Sequence, residues 1–158
     1  ISANTVLETV MYVRLLQPPA RGRITAQVEA GEALFNSLQC SACHIPSIRT
    51  GDHEIPELAN QTVALFSDLL LHDMGEGLAD NRPDGDADGY EWRTTPLWGT
   101  RLVAEFLGGQ EFYLHDGRAT TVEDAILRHG GEAQAARDGF AALATADREA
   151  VIAFVKSL

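Results

Sequence analysis

Positive charge is scarce in this chain of 158 residues. Lys and Arg number 12 against 23 Asp and Glu, which gives a formal net charge of −11. The phosphates of a nucleic acid or an anionic membrane would repel such a surface, so we expect neither as a partner. No apolar run approaches the roughly 20 residues that a membrane-spanning helix needs, and we therefore expect no membrane insertion.

Cysteine is also scarce, with only two residues in the chain. Two thiols cannot build a disulfide-rich scaffold or supply four thiolates to a structural zinc ion. Strand-like alternation, internal repeats and low-complexity tracts are missing as well. Because 45 % of the residues are hydrophobic, the chain can still bury a core. We predict that helices build this core and that the fold class is all-α.

Apolar residues recur at helical spacing in four segments, over residues 4–17, 25–38, 121–129 and 145–157. Pro18 and Pro19 end the first of them. The apolar side of that helix packs either on the rest of the chain or on a neighbouring domain. Because the sequence opens without an initiator Met or a signal peptide, we predict that residues 1–24 are a helix and linker belonging to a preceding domain. Residues 25–158 would then form the main domain.

A short motif, Cys40-Ser41-Ala42-Cys43-His44, is the most informative part of the sequence. Cys-x-x-Cys-His is the pattern of covalent haem attachment. One helical turn separates the two thiols, so each can form a thioether with one vinyl group, and the adjacent His44 can give the iron an imidazole nitrogen. A thioredoxin-like site would need a βαβ pattern, which is absent. A zinc site made from both cysteines and two histidines is the remaining alternative.

The second axial ligand of such a haem is less clearly marked. Met74 is our prediction, because a thioether would favour reduced iron and because its place between Asp73 and Gly75 is unusual for a core methionine. His72 is the alternative and would give a bis-histidine haem. We interpret the other three histidines, His53, His115 and His129, as a loop residue and two structural residues, although His115 lies in a segment that could approach the haem.

The order of elements, with a helix before the motif, irregular chain after it and a closing helix, resembles class I cytochrome c. The resemblance covers about 25–158 and implies a helical domain with long haem-wrapping loops. It also implies that the first and last helices of this domain cross tightly. Gly31 would lie at that crossing, where the missing side chain allows close approach.

Several segments resemble a narrower family, the bacterial di-haem cytochrome c peroxidases, in their C-terminal haem domain. These segments are FSDLLLHDMG at 66–75, YLHDG at 113–117 and TVEDAILRHGG at 121–131. Residues 68–75, 91–99 and 114–119 are more similar still to the di-haem thiol oxidoreductase branch. The chain departs from full-length relatives by having one haem motif instead of two, so it resembles the electron-transfer half. The stretch around Tyr90 lacks the methionine of the peroxidases, which leaves Tyr90 as a further ligand candidate.

The resemblance implies a periplasmic location and a redox partner protein or a second haem domain as partner. It implies electron transfer through one covalently attached haem c. The residues that we predict to bind this cofactor are Cys40, Cys43, His44 and Met74. The alternative is an iron with an open site that reacts with peroxide, where His72 would serve as acid or base. Whether the chain is itself an enzyme is left open.

An acidic loop also resembles the start of a calcium site, with Asp84, Asp86 and Asp88 at alternate positions followed by Gly89. A calcium loop carries a bidentate Glu at its twelfth position, and Thr95 stands there instead. We therefore interpret the segment as a solvated loop, and calcium as a minor alternative.

Overall fold

The computed structural model describes all residues, 1–158. It contains six α-helices: α1 (Ala3–Arg14), α2 (Ala26–Ser37), α3 (Val103–Phe106), α4 (Val122–Leu127), α5 (Gln134–Ala142) and α6 (Thr145–Val155). Its four strands are β1 (Ile48–Arg49), β2 (Thr62–Val63), β3 (Leu71–Asp73) and β4 (Glu91–Arg93). No helix has the length and apolar character needed to cross a membrane.

The prediction of an all-α fold is wrong. Helical residues, with the 3-10 turns included, make up 44 % of the chain, and strand residues, with isolated bridges included, make up 9 %. The strands form two small antiparallel sheets. Strand β1 pairs with β2, and β3 pairs with β4 in the register His72 opposite Trp92. The strands are only two or three residues long, too short for the alternation of polar and apolar residues by which a strand is recognised in a sequence. The class is therefore mixed, with helices and two small sheets.

The core lies where α2 and α6 cross. Nine buried residues form it: Val28, Phe35, Phe66, Val122, Phe140, Val151, Phe154, Val155 and Leu158. A Cβ atom on Gly31 would overlap the backbone carbonyl of Ala150 in α6. The predicted close approach at Gly31 is thus confirmed, because only a glycine leaves room for the facing helix.

Local sequence signals explain where the helices begin. The side chain of Thr25 caps α2 by accepting a hydrogen bond from the Val28 amide at 3.3 Å. Thr121 caps α4 in the same way, from the Asp124 amide at 3.0 Å. Both satisfy an amide that has no partner within its own helix. Helix α4 carries Val122 and Ile126 toward the core, which positions the end of that helix beside the candidate site.

The N-terminal segment differs from the rest of the chain. Helix α1 has no buried residue, and Val6, Leu7, Val10 and Val13 are exposed. The linker that follows is held more firmly, because the Gly22 amide donates to the Ser157 carbonyl at 2.7 Å and Arg21 pairs with Glu32 at 2.9 Å. The assignment of residues 1–24 to a preceding domain stays a prediction.

Candidate functional site

The Cys40–His44 motif directly follows α2. Gln39 has a left-handed backbone with φ of 64°, which ends the helix direction, and residues 40–42 then form a single 3-10 turn. The His44 amide closes this turn by donating to the Cys40 carbonyl at 3.0 Å. The backbone of the motif is therefore held as one short helical turn. The Cys40 side chain packs against the core cluster.

Both cysteines are free thiols. Burial raises the pKa of Cys40 to about 11. Burial also raises the pKa of Cys43, and the nearby carboxylates of Asp68 and Glu132 add to the effect. Neither side chain is a thiolate at neutral pH, whereas a redox-active thiol needs a lowered pKa. The structure therefore gives no support to the thioredoxin-like alternative.

His44 is oriented by the main chain of the core. Its Nδ1 lies 3.0 Å from the Phe66 carbonyl oxygen, and its ring packs against Phe35 with centroids 6.2 Å apart. Since a carbonyl accepts only, Nδ1 carries the proton and Nε2 keeps its lone pair. Burial is the main reason that the pKa of His44 falls to about 4, and charge on His129 and His72 lowers it further. A neutral imidazole with a free Nε2 is a metal ligand.

His72 lies beside the motif, but its nitrogens are already engaged. Nε2 is 2.9 Å from Asp68 Oδ2, and Nδ1 is 2.9 Å from Glu132 Oε2 and 3.8 Å from Cys43 Sγ. The hydrogen bond to Glu132 is the largest contribution to its raised pKa, with the bond to Asp68 adding to it. A protonated ring that donates to two carboxylates has no lone pair for iron. The arrangement favours a charged hydrogen-bonding role over axial ligation.

The zinc alternative is also weakened by this arrangement. The side chains that lie close enough to share a metal ion are those of Cys43, Asp68 and His72, and Cys40 is not among them. A structural zinc site takes four ligands, most often from cysteine and histidine. The predicted set of both cysteines and two histidines is thus not assembled.

Met74 follows β3 and is partly buried. Its amide donates to the Tyr90 carbonyl at 2.9 Å, so this segment runs alongside the one that leads into β4. The Met74 carbonyl packs closely on Gly130: a Cβ atom added to Gly130 would lie 2.8 Å from the Met74 carbonyl oxygen. Met74 as the second axial ligand stays a prediction, as does the alternative at Tyr90, whose side chain is exposed.

His129, which the sequence predicts to be a structural residue, also has a free ring nitrogen. Its Nδ1 lies 2.8 Å from the Ala125 carbonyl oxygen, so it is oriented as His44 is, with Nε2 free. Burial lowers its pKa. No local motif marks this histidine, because its neighbours in the site come from segments distant in sequence.

Trp92 provides an independent indication that something binds here. Its ring stacks on His115 with centroids 3.5 Å apart and planes 7° from parallel. The indole N–H is buried and has no acceptor, which is uncommon in a folded protein. A bound group that carries carboxylates, such as a haem with its propionates, would satisfy it.

A separate cleft lies elsewhere in the molecule. It has a volume of about 900 Å³ and opens between residues 14–21 and 50–64, with His53, Phe66 and Trp98 in its wall. None of Cys40, Cys43, His44 and Met74 lines it. We therefore place the candidate site by its side-chain chemistry. Two free thiols, an adjacent imidazole with an open Nε2 and a buried donor without an acceptor fit a haem.

These observations define the class as haem proteins, and comparison with protein families gives the particular family. A family model described as "di-haem oxidoreductase, putative peroxidase" matches residues 1–158. The chain belongs to this family, which confirms the resemblance predicted from the sequence and implies a haem cofactor and an oxidoreductase-type function. No curated protein and no solved structure matches the chain.

Proposed function

We propose that this chain is an electron-transfer domain that holds one haem c through thioethers at Cys40 and Cys43, with His44 as an axial ligand. The observation that carries the proposal is the orientation of His44, whose Nδ1 is fixed by the Phe66 carbonyl at 3.0 Å while Nε2 stays free. The two free thiols on the adjacent helical turn supply the attachment chemistry. Membership in a di-haem family supports the choice of cofactor.

The iron of a bound haem can exchange one electron by cycling between its ferric and ferrous states. The chain's contribution is to fix the imidazole of His44, to bury it against Phe35 and to offer further ligands on the segments that contain Met74 and His129. If both axial positions are filled from this chain, peroxide has no coordination site. We therefore expect a carrier of electrons, acting as the electron-transfer half of a di-haem oxidoreductase, with a redox protein or a second haem domain as its partner.

The proposed location is the periplasm, because covalent attachment of this kind is carried out there in bacteria. The net charge of −11 favours a redox partner with a basic docking surface, since opposite charge steers association.

The attachment is tested by producing the chain together with a c-type haem maturation system and staining a denaturing gel for haem. We expect a haem-positive band, with one haem per chain by the pyridine haemochrome spectrum. The Cys40→Ala, Cys43→Ala double variant should lose the band, and Ser41→Ala, which keeps both thiols, should retain it. A haem-negative wild-type band would contradict the proposal.

A second candidate function is favoured by the His72 cluster. A histidine held between Asp68 and Glu132 and 3.8 Å from the Cys43 sulfur is placed for acid–base work on peroxide if one axial position is open. High-spin ferric iron together with fast peroxide turnover in the haem-loaded chain would establish this function. Low-spin iron and slow turnover would establish the carrier.

A further inference from the structure

The clearest unexplained feature of the site is that two of its histidines are oriented by the same kind of hydrogen bond. His44 and His129 each have Nδ1 within 3.0 Å of a main-chain carbonyl oxygen, from Phe66 and Ala125 respectively. Each ring therefore has a fixed tautomer with a proton on Nδ1 and a lone pair on Nε2. Histidines that bind a metal through one ring nitrogen usually donate the other N–H to a carbonyl or carboxylate in this way.

The fold turns the two histidines toward the same interior. His129 follows Val122 and Ile126 at the spacing of one helix face, and these two residues pack in the cluster that contains Phe35 and Phe66. Phe35 and Phe66 are also the residues that contact His44, through its ring and its Nδ1. Both histidines therefore adjoin the core cluster that contains Phe35 and Phe66.

We propose that His129 is the second axial ligand, on the opposite side of the haem from His44. The inference rests on the proposed haem attachment and deepens it by making the site a bis-histidine centre. Nε2 of His129 makes no hydrogen bond in the structure, whereas both nitrogens of His72 bind carboxylates. His129 is thus the histidine besides His44 in this site whose lone pair is left for iron.

Met74 is the competing ligand. Its main-chain carbonyl lies next to Gly130, the residue after His129, so the two candidate segments are neighbours. Met74 is not among the apolar side chains that pack on the core cluster, although Ile126, one turn before His129, is. The Met74 thioether makes no hydrogen bond, whereas the His129 ring is oriented by the Ala125 carbonyl of the preceding helix, 2.8 Å from Nδ1.

The test compares His129→Met, His129→Ala and Met74→Leu in the haem-loaded chain, by ferric absorption, electron paramagnetic resonance and near-infrared magnetic circular dichroism. We expect the wild type to be low-spin without the sulfur-to-iron charge-transfer band, and Met74→Leu to be indistinguishable from it. His129→Ala should become high-spin and return to low-spin when imidazole is added. His129→Met should gain the sulfur-to-iron band, which also covers the case in which the alanine variant does not fold.

Three results would overturn the assignment: a sulfur-to-iron band in the wild type that Met74→Leu removes, a low-spin spectrum that His129→Ala leaves unchanged, or a high-spin wild type. Each of these leaves the haem attached, so the haem-stained gel stays positive. A negative gel instead contradicts the haem attachment itself. The failure of the ligand assignment is in this way distinguishable from the failure of the proposed function.

Discussion

Two neighbouring regions of this molecule are held together by different forces. The crossing of α2 and α6 is apolar, with Phe154 fully buried between Phe35 and Phe66. The region from residue 65 to residue 97 is held mainly by hydrogen bonds between its two arms, including Leu97 N–H to the Leu65 carbonyl and Met74 N–H to the Tyr90 carbonyl, both at 2.9 Å.

The difference indicates a division of roles. Apolar packing is strong but non-directional, so it supplies stability. Hydrogen bonds are directional and weak in net energy, so they orient groups. The candidate ligands lie where the two regions meet: His44 packs on Phe35 of the crossing and is oriented by the carbonyl of Phe66. Substitutions at the crossing should therefore reduce stability, and substitutions in the hydrogen-bonded region should have smaller effects.

The largest effect is expected for Phe154→Ala. This side chain has 0 % exposure and packs on Phe35 and Phe66 with ring centroids 5.1 and 5.7 Å away. Removing a buried phenyl ring leaves a cavity and costs about 3–5 kcal/mol in the free energy of unfolding. Urea unfolding followed by circular dichroism measures it. The control Phe106→Ala, at a side chain that is 76 % exposed, should change stability by no more than about 0.5 kcal/mol. Equal losses in both would show that the crossing is not the main source of stability.

The next effect is expected for Gly31→Ala, which tests how closely α2 and α6 approach. The new Cβ would overlap the Ala150 carbonyl, and since that atom is backbone the helices must separate. Such overpacking costs about 1–3 kcal/mol, more than alanine's helix propensity returns. The same unfolding measurement applies, with Gly51→Ala as control because nothing lies within 4 Å of its added carbon. A stabilised Gly31→Ala variant would mean that the helices are further apart than in the structure.

The sequence predicts the first region better than the second for a physical reason. Helices α2, α4 and α6 show their apolar spacing within about fifteen residues of chain, and α2 and α4 also show their capping threonines, so local patterns are sufficient. Strands β3 and β4 each have three residues and meet only after residues 74–90 have looped between them. Their pairing is a long-range property, and the all-α prediction failed there.

The candidate site divides in the same way. Cys40, Cys43 and His44 are recognisable because haem attachment requires them at fixed spacing in one short motif. His129 has no such neighbour in the sequence and becomes a candidate only when the orientation of its ring and the packing of α4 on the core are known. The signal in the sequence is weak: a histidine two residues beyond a capped helix, at a spacing that continues the face of Val122 and Ile126.

A smaller effect is expected for Ser67→Ala, which tests the hydrogen-bonded region. The Ser67 hydroxyl is fully buried, donates to the Thr94 carbonyl at 2.7 Å and accepts from the Leu69 amide at 2.9 Å. Its removal leaves the Thr94 carbonyl buried without this partner and should cost about 1–2 kcal/mol. Ser47→Ala, at an exposed residue, is the matched control. A loss as large as that of Phe154→Ala would remove the distinction between the two regions.

The smallest effect is expected from the charged cluster around His72 and should depend on pH. Hydrogen bonding to Glu132 is the main cause of the raised pKa of His72. The contribution of protonated His72 to the free energy of unfolding is therefore complete below the unfolded pKa of about 6.5. It is lost as the pH rises through the higher folded pKa. Hydrogen bonds from His72 and from the Asp73 amide lower the pKa of Glu132. Burial alone would raise the pKa of Asp68. Hydrogen bonds from the Leu70 N–H and from His72 outweigh burial, so the pKa of Asp68 is lowered.

For the carboxylates of Asp68 and Glu132 the pH dependence has the opposite sign. Their contribution to the free energy of unfolding is present above the unfolded pKa of about 4, and it is lost as the pH falls through their lower folded pKa values. The stability difference between the wild type and His72→Gln should thus be largest between about pH 4.5 and 6.5 and shrink on both sides. Unfolding curves measured across this range test it, with His53→Gln as the control substitution at an exposed histidine outside the cluster. A difference that grows above pH 8 would mean that His72 is neutral in the folded chain, and its lone pair would then return it to the candidates for the iron.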